Sequence, residues 1–366
     1  MPIKFPGIYL RYLLIIILAL NFMLTGCDIS QPQPERTEQA NTRTVTDCAG
    51  RSVTVPANPQ RIACLCPEAG HTMAMYGQGD KIVAAVGGMQ RDLLLVEMYP
   101  HIKNVPVPKV SEVINIEELA ACQPDLVFVK ADTVSNPAEM DKLNKVGIPA
   151  IAIGFNSMQE QQEAMQLIAL IVGAEAEGQK YNKFYQQTIT MVAERVDKIA
   201  PDDRVLIYHS LNEATRTDIE GSLPADWTRA AGVINVSVDE NLKFAEGKYY
   251  ASLEQILLWD PDYILVNDPN VVGYIMQHEQ WRPLQAVKNR RVLAMPNGIS
   301  RWGHFSSLET PLAVLWTATT VYPDKFQDID MKGVTRDFYR QFFDWELDDT
   351  EIDKILSGQG MRGKKS

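Results

Sequence analysis

The chain has 366 residues, 46% of them hydrophobic, which is enough to bury the core of two ordinary domains or one large one. Its 46 acidic side chains outnumber 35 basic ones, for a formal charge of −11 at pH 7. That balance argues against a nucleic-acid ligand held through its phosphates.

Lys4 and Arg11 flank the start of an apolar run, Tyr12 to Leu20, that is too short for a membrane span and reads as a signal-peptide core. Leu24-Thr25-Gly26-Cys27 follows directly and resembles the bacterial lipoprotein cleavage box. That likeness implies removal of residues 1–26, lipidation of Cys27, and an extracytoplasmic chain anchored to the cell membrane by lipid, on its periplasmic face in a Gram-negative host. Residues 27–43 are mostly polar and are expected to be a flexible tether. Cys48, Cys64, Cys66 and Cys122 remain. An exported chain can pair them in three ways, and buried thiols or one disulfide fit better than a zinc site.

"TDCAGRSVTVP" alternates around Ala49-Gly50 and predicts a hairpin. "RIACLC" is a strand, Glu68–Tyr76 a short helix, and "KIVAAVGG" a second strand. Next comes Asn115–Val129, "NIEELAACQPDLVFV", then a helix over Pro137–Lys145 and the strand "IPAIAIG". Gln159–Val172 has helical spacing, and Ala174–Ala200 predicts one helix of about 40 Å ended by Pro201. The order then restarts. "RVLIYH", "GVINVS", Ser252–Val266 ("SLEQILLWDPDYILV"), a helix ending near Lys288 and "RRVLAMPNG" repeat the landmarks at offsets near 137 to 143. Helices from Leu308 to Val321, over "VTRDFYRQFF" and over "DDTEIDKIL" complete the chain, and the basic tail 359–366 is expected to be disordered.

This pattern predicts an α/β fold: two Rossmann-like lobes with mainly parallel sheets, 44–172 and 202–358, joined by one long rigid helix within 173–201, with the ligand cleft between the lobes. Within the doubled phrase, Asn115 and Ser252 suit N-caps, and Glu118 and Gln255 complete a capping box in each copy. Pro124 and Pro261 stop the helices. Glu117 and Glu254 face outward and are not needed by this machinery beyond a helix-dipole effect of about 0.5 kcal/mol.

The hairpin segment through "RIACL", the paired phrases and the long central helix resemble the helical-backbone (class III) substrate-binding lipoproteins of ABC importers of ferric siderophores, cobalamin and related metal complexes. The resemblance implies no intrinsic cofactor. It implies a bound small-molecule metal complex, most readily a ferric siderophore, with cobalamin, haem, a nickel chelate or molybdate/tungstate as alternatives. It further implies docking of Glu117 and Glu254 on an ABC permease dimer served by ATPase subunits, with a lipid bilayer and no nucleic acid as the other surroundings.

Ligands of open α/β sheets gather beyond the carboxyl ends of the strands. The candidates there are Glu68, His71 and Met89, with Cys66, from the first lobe, and Tyr208, His209, Arg216, Trp227, Asp268, Arg301, Trp302 and His304 from the second. Arg301 suits carboxylate or catecholate oxygens, and Trp302 suits a flat ligand. Tyr208 and His209 are neighbours on a strand, so they point to opposite faces. No G-x-S-x-G, H-E-x-x-H or P-loop is present, so a binding protein is expected over an exported chelatase-like enzyme.

Overall fold

A computed structural model describes residues 41–359 and 361–363. The expected signal segment, Cys27, most of the tether and the last three tail residues lie outside the described residues. Strands β1 (Thr42–Thr46) and β2 (Ser52–Pro56) form the predicted antiparallel hairpin. It starts earlier than expected: Arg43 donates to the carbonyls of Leu170 and Ala57, each at 2.6 Å, so residues 41–43 belong to the fold and not to the tether.

The first sheet holds β3 (Ile62–Cys64) and β4 (Ile82–Ala85). After a small hairpin of β5 (Lys109–Val110) and β6 (Val113–Ile114) it adds β7 (Leu126–Lys130) and β8 (Ala150–Ile153). The order is β4-β3-β7-β8, all parallel. The second sheet repeats the plan with β9 (Leu206–Ser210) and β10 (Ile234–Asn235). A hairpin of β11 (Lys243–Ala245) and β12 (Lys248–Tyr250) again intervenes before β13 (Tyr263–Val266) and β14 (Val292–Ala294). Its order is β10-β9-β13-β14, also all parallel. Helices cover the sheets, which is why β3 and β8 are buried on every residue and read as continuous apolar runs.

The linking helix spans Glu175–Val196, 22 residues or about 33 Å, shorter than the expected Ala174–Ala200. Ala200 precedes Pro201 and is extended at ψ 147, so the chain leaves the helix a turn early. Tyr181 donates to the Leu308 carbonyl, and Tyr185 donates to Gln161 Oε1 at 2.8 Å. The helix is thereby tied to the helix Met158–Val172 on one side and to the loop that leads into Thr310–Val321 on the other.

The paired helices Ile116–Ala121 and Leu253–Trp259 start differently. Ser252 and Gln255 form a complete capping box. Asn115 accepts from the Glu118 N–H, but its own N–H donates to the Pro108 carbonyl at 2.7 Å, so no reciprocal bond closes the box. Nor do the prolines themselves end these helices. Gln123 and Asp260, 137 apart, take left-handed conformations at φ 47° and 42°, turning the chain just before Pro124 and Pro261.

Candidate ligand-binding site

The loops at the carboxyl ends of both sheets face a cleft of about 1440 Å³, lined from Thr46 to Leu167 on the first lobe and from Leu211 to Phe305 on the second. Its accessible walls carry more carboxylates than cations. Glu68, Asp132, Glu160, Glu163 and Glu246 line it beside Lys130, Arg216 and Lys248. Burial pushes the Glu68 carboxyl up from its ordinary range.

Behind this mouth, the loop after β14 is built as a rigid platform. Glu309 is fully buried and accepts from the Ser300 N–H and hydroxyl, each at 2.8 Å, and from the Tyr339 hydroxyl. Tyr339 also accepts the Ile299 N–H at 2.7 Å. Gly298 is obligatory here, since a Cβ would fall 2.1 Å from Tyr339 Oη. Asn267 donates to the Trp302 carbonyl at 2.7 Å, and the Trp227 indole donates to the Gly303 carbonyl at 2.9 Å. Gly303 turns at φ +75°, where a Cβ would press on the Trp227 ring.

This platform presents Arg301. Its guanidinium donates to Asn212 Oδ1 and, at 3.1 Å, to His304 Nε2. Accepting at Nε2 places the neutral ring's proton on Nδ1, from which it donates to Ser306 Oγ at 3.0 Å. Burial and the Arg301 charge hold His304 well below its ordinary value, which agrees with a neutral ring. Burial first, and then the positive charge of Arg362, bring Arg301 down to about 10. Among the described residues Arg301 and Arg216 form no ion pair, and Arg216 lies over the Phe305 ring at 6.0 Å.

On the first lobe, His71 Nε2 and Asp92 Oδ2 are 2.8 Å apart and both side chains are buried. His209 Nδ1 and Asp218 Oδ2 form a second buried pair at 2.6 Å. In each pair the other histidine nitrogen is buried without a partner.

The structure sorts the predicted residues. Arg301 and His304 share one platform, Glu68 and Arg216 line the cleft, and His71 joins Asp92. Met89, Tyr208, Trp227 and Trp302 are fully buried, so they pack as core in this conformation and none is open to stack on a ligand. A strand-end position makes an indole or a phenol a candidate for the cleft, but here the apolar area of these rings is satisfied inside the lobes. Tyr208 and His209 do take opposite faces: Tyr208 enters the core of the second lobe, and His209 meets Trp227 edge-on. All four cysteines of the domain are free, with Cys48 exposed and the others buried. Glu117 and Glu254 are both exposed on their matching helices. Asn212, Glu309, Tyr339, Asn267 and Asp92 were not anticipated. Their roles depend on contacts far along the chain, and only the polar residues at strand ends offered a local signal.

Comparison with known proteins adds the following. The family model described as periplasmic binding protein matches residues 62–298. The molybdate-binding protein MolA of Haemophilus influenzae is 28% identical over 326 residues, covering 82% of this chain and 91% of MolA. The structure of MolA bound to molybdate superposes with a TM-score of 0.75 at 26% identity, covering 84% of this chain and 99% of that one. Helicobacter pylori CeuE with Ni(II) bound has a TM-score of 0.70 at 21% identity over 86% of this chain and 99% of that one, a likeness of fold.

Proposed function

The chain belongs to the periplasmic binding protein family, the solute-capturing components of ABC importers, and from that premise we propose that it captures a molybdate-class tetrahedral oxyanion. The observation that carries this reading is Arg301, a half-buried guanidinium that has only neutral hydrogen-bond partners and stands near two further arginines. Asp92 and Asp268 act on this cation from farther off but neither bonds it, so an added anion at the guanidinium is still favourable. The guanidinium fork suits two oxygens of a tetrahedral oxyanion, and neutral His304 beside it adds no charge of its own. The full-length likeness to MolA supports the same class.

Calorimetric titration with molybdate, tungstate and sulfate tests it. Molybdate and tungstate are expected to bind, and Arg301→Ala is expected to weaken binding about 100-fold, the scale of losing a buried charge-assisted contact. Failure of both oxyanions to bind overturns the reading.

A second reading, delivery of a metal chelate such as a ferric siderophore, is favoured by the cleft itself. About 1440 Å³ with a carboxylate-rich mouth exceeds what a single oxyanion fills. Titration with ferric chelates in place of molybdate separates the two. In either reading Glu117 and Glu254 are the matched contacts with a permease dimer, since a pseudo-twofold receptor meets a twofold partner with the same group twice. Cys27 is the proposed lipid anchor, and solute capture without turnover is the proposed activity.

A further inference from the structure

The basic tail was expected to be disordered, but residues 361–363 lie across the first lobe. Leu93 N–H donates to the Met361 carbonyl at 2.8 Å, and Gly363 N–H donates to the Arg91 carbonyl at 2.7 Å, an antiparallel bridge centred on Asp92 and Arg362. Upstream, the helix Asp349–Leu356 accepts the Asn297 N–H on its Ile355 carbonyl at 3.0 Å. Gly358 turns at φ +70° against Ala294 and Met295, where a Cβ would meet the Met295 carbonyl at 2.5 Å. The last described residues thus run from the loop that carries Arg301 to the buried acid of the opposite lobe.

We propose that this C-terminal strap is part of the ligand site, and that Arg362 is a third guanidinium contributed to the anion bound at Arg301 and Arg216. The proposal rests on the oxyanion reading above. Arg362 is held in place and still has donors to offer. Its Nη1 donates to Asp92 Oδ1 at 2.7 Å, while the other oxygen of that carboxylate is taken by His71. Nη1 alone is engaged among the described residues, and 28% of the side chain stays accessible. Asp92 therefore orients the fork, leaving Nη2 and Nε to reach an oxyanion. Arg362 is also the first charge acting against Arg301, with its partner Asp92 offsetting part of that effect, so the two guanidiniums act in one electrostatic field. An anion binding between them relieves that repulsion, so the strap raises affinity and ties both lobes to one ligand.

The test uses the full chain and sodium molybdate, with affinities read by calorimetry. Arg362→Gln keeps a donor for Asp92 and removes the charge, and Arg362→Lys keeps the charge. The Gln variant is expected to bind about tenfold more weakly and the Lys variant to recover most of that. Hydrogen exchange at the Leu93 amide should be unchanged in both, which reports a seated strap. Equal affinity of wild type and Arg362→Gln, alongside lost binding in Arg301→Ala, overturns the strap's role and leaves the oxyanion reading standing. Wild type that binds neither molybdate nor tungstate fails at the oxyanion reading itself, and the strap's role falls with it.

Discussion

The two lobes share one strand order and one doubled phrase, yet the polar groups beyond their strand ends are held differently. The first lobe presents buried carboxylates, with Asp92 held by His71 and by an arginine from the chain's end. The second presents Arg301 and Arg216 with no carboxylate partner, and a neutral histidine beside them. Sheet order and helix starts are held by packing that both copies need, whereas strand-end loops tolerate change and carry the site. On the far surfaces the lobes stay alike, each with one exposed glutamate in the first turn of its matching helix.

The sharpest way to break that comparison is at the glutamates. Glu117→Arg and Glu254→Arg should each lower solute uptake by about tenfold or more, because like charges at a docking surface repel, while solute affinity is unchanged. A loss confined to one variant would show that the lobes do not dock equivalently. The buried carboxylates give the next largest difference. Glu309→Ala leaves the Ser300 amide and hydroxyl and the Tyr339 hydroxyl without their acceptor, and should cost about 2 kcal/mol in urea unfolding. A buried carboxylate of the first lobe, Glu139, accepts only the Ile114 N–H and a partly exposed Lys142, so Glu139→Ala should cost about 1 kcal/mol. Equal losses would mean that the Arg301 platform is no more tightly held than the first lobe's hairpin.

Acid titration isolates the neutral histidine of the cationic wall. In the folded chain His304 binds its proton more weakly than at its ordinary value of 6.5, so below that pH the unfolded chain takes up the extra proton. Stability from this site is complete above pH 6.5 and declines as pH falls, with a slope of at most about 1.4 kcal/mol per pH unit. His304→Gln should flatten that limb in unfolding measured from pH 7 to pH 5. An unchanged slope would mean that His304 is not the buried neutral group. The smallest effect separates the paired caps. Ser252→Ala opens a complete box and should cost about 1 kcal/mol, and Asn115→Ala about half as much.

Much of the architecture was legible because it rests on local rules. The offset of 137, the cap residues and the apolar runs each follow from periodicity and helix-end chemistry, and together they predicted two equivalent parallel sheets. The site was legible only in part. The loop "NGISRWGH" joins a strand end to a helix and carries a cation, an indole and an imidazole, which is why Arg301, Trp302 and His304 stand among the candidates. Nothing local indicated that Trp302 would turn inward, since an indole at a strand end can equally cover core or ligand. Nor did a short tail of glycine, arginine and lysine show that its single arginine would pair with Asp92, 270 residues away.

The sequence by itself therefore determined the strands, the helix starts, the duplication and the outward glutamates, because each depends on residues a few positions apart. Tertiary structure alone decided which polar groups share the cleft, which aromatics fill the core and where Arg362 comes to rest. Those outcomes turn on burial and charge pairing between distant segments, and a desolvated cation or carboxylate is set by whatever the fold brings beside it.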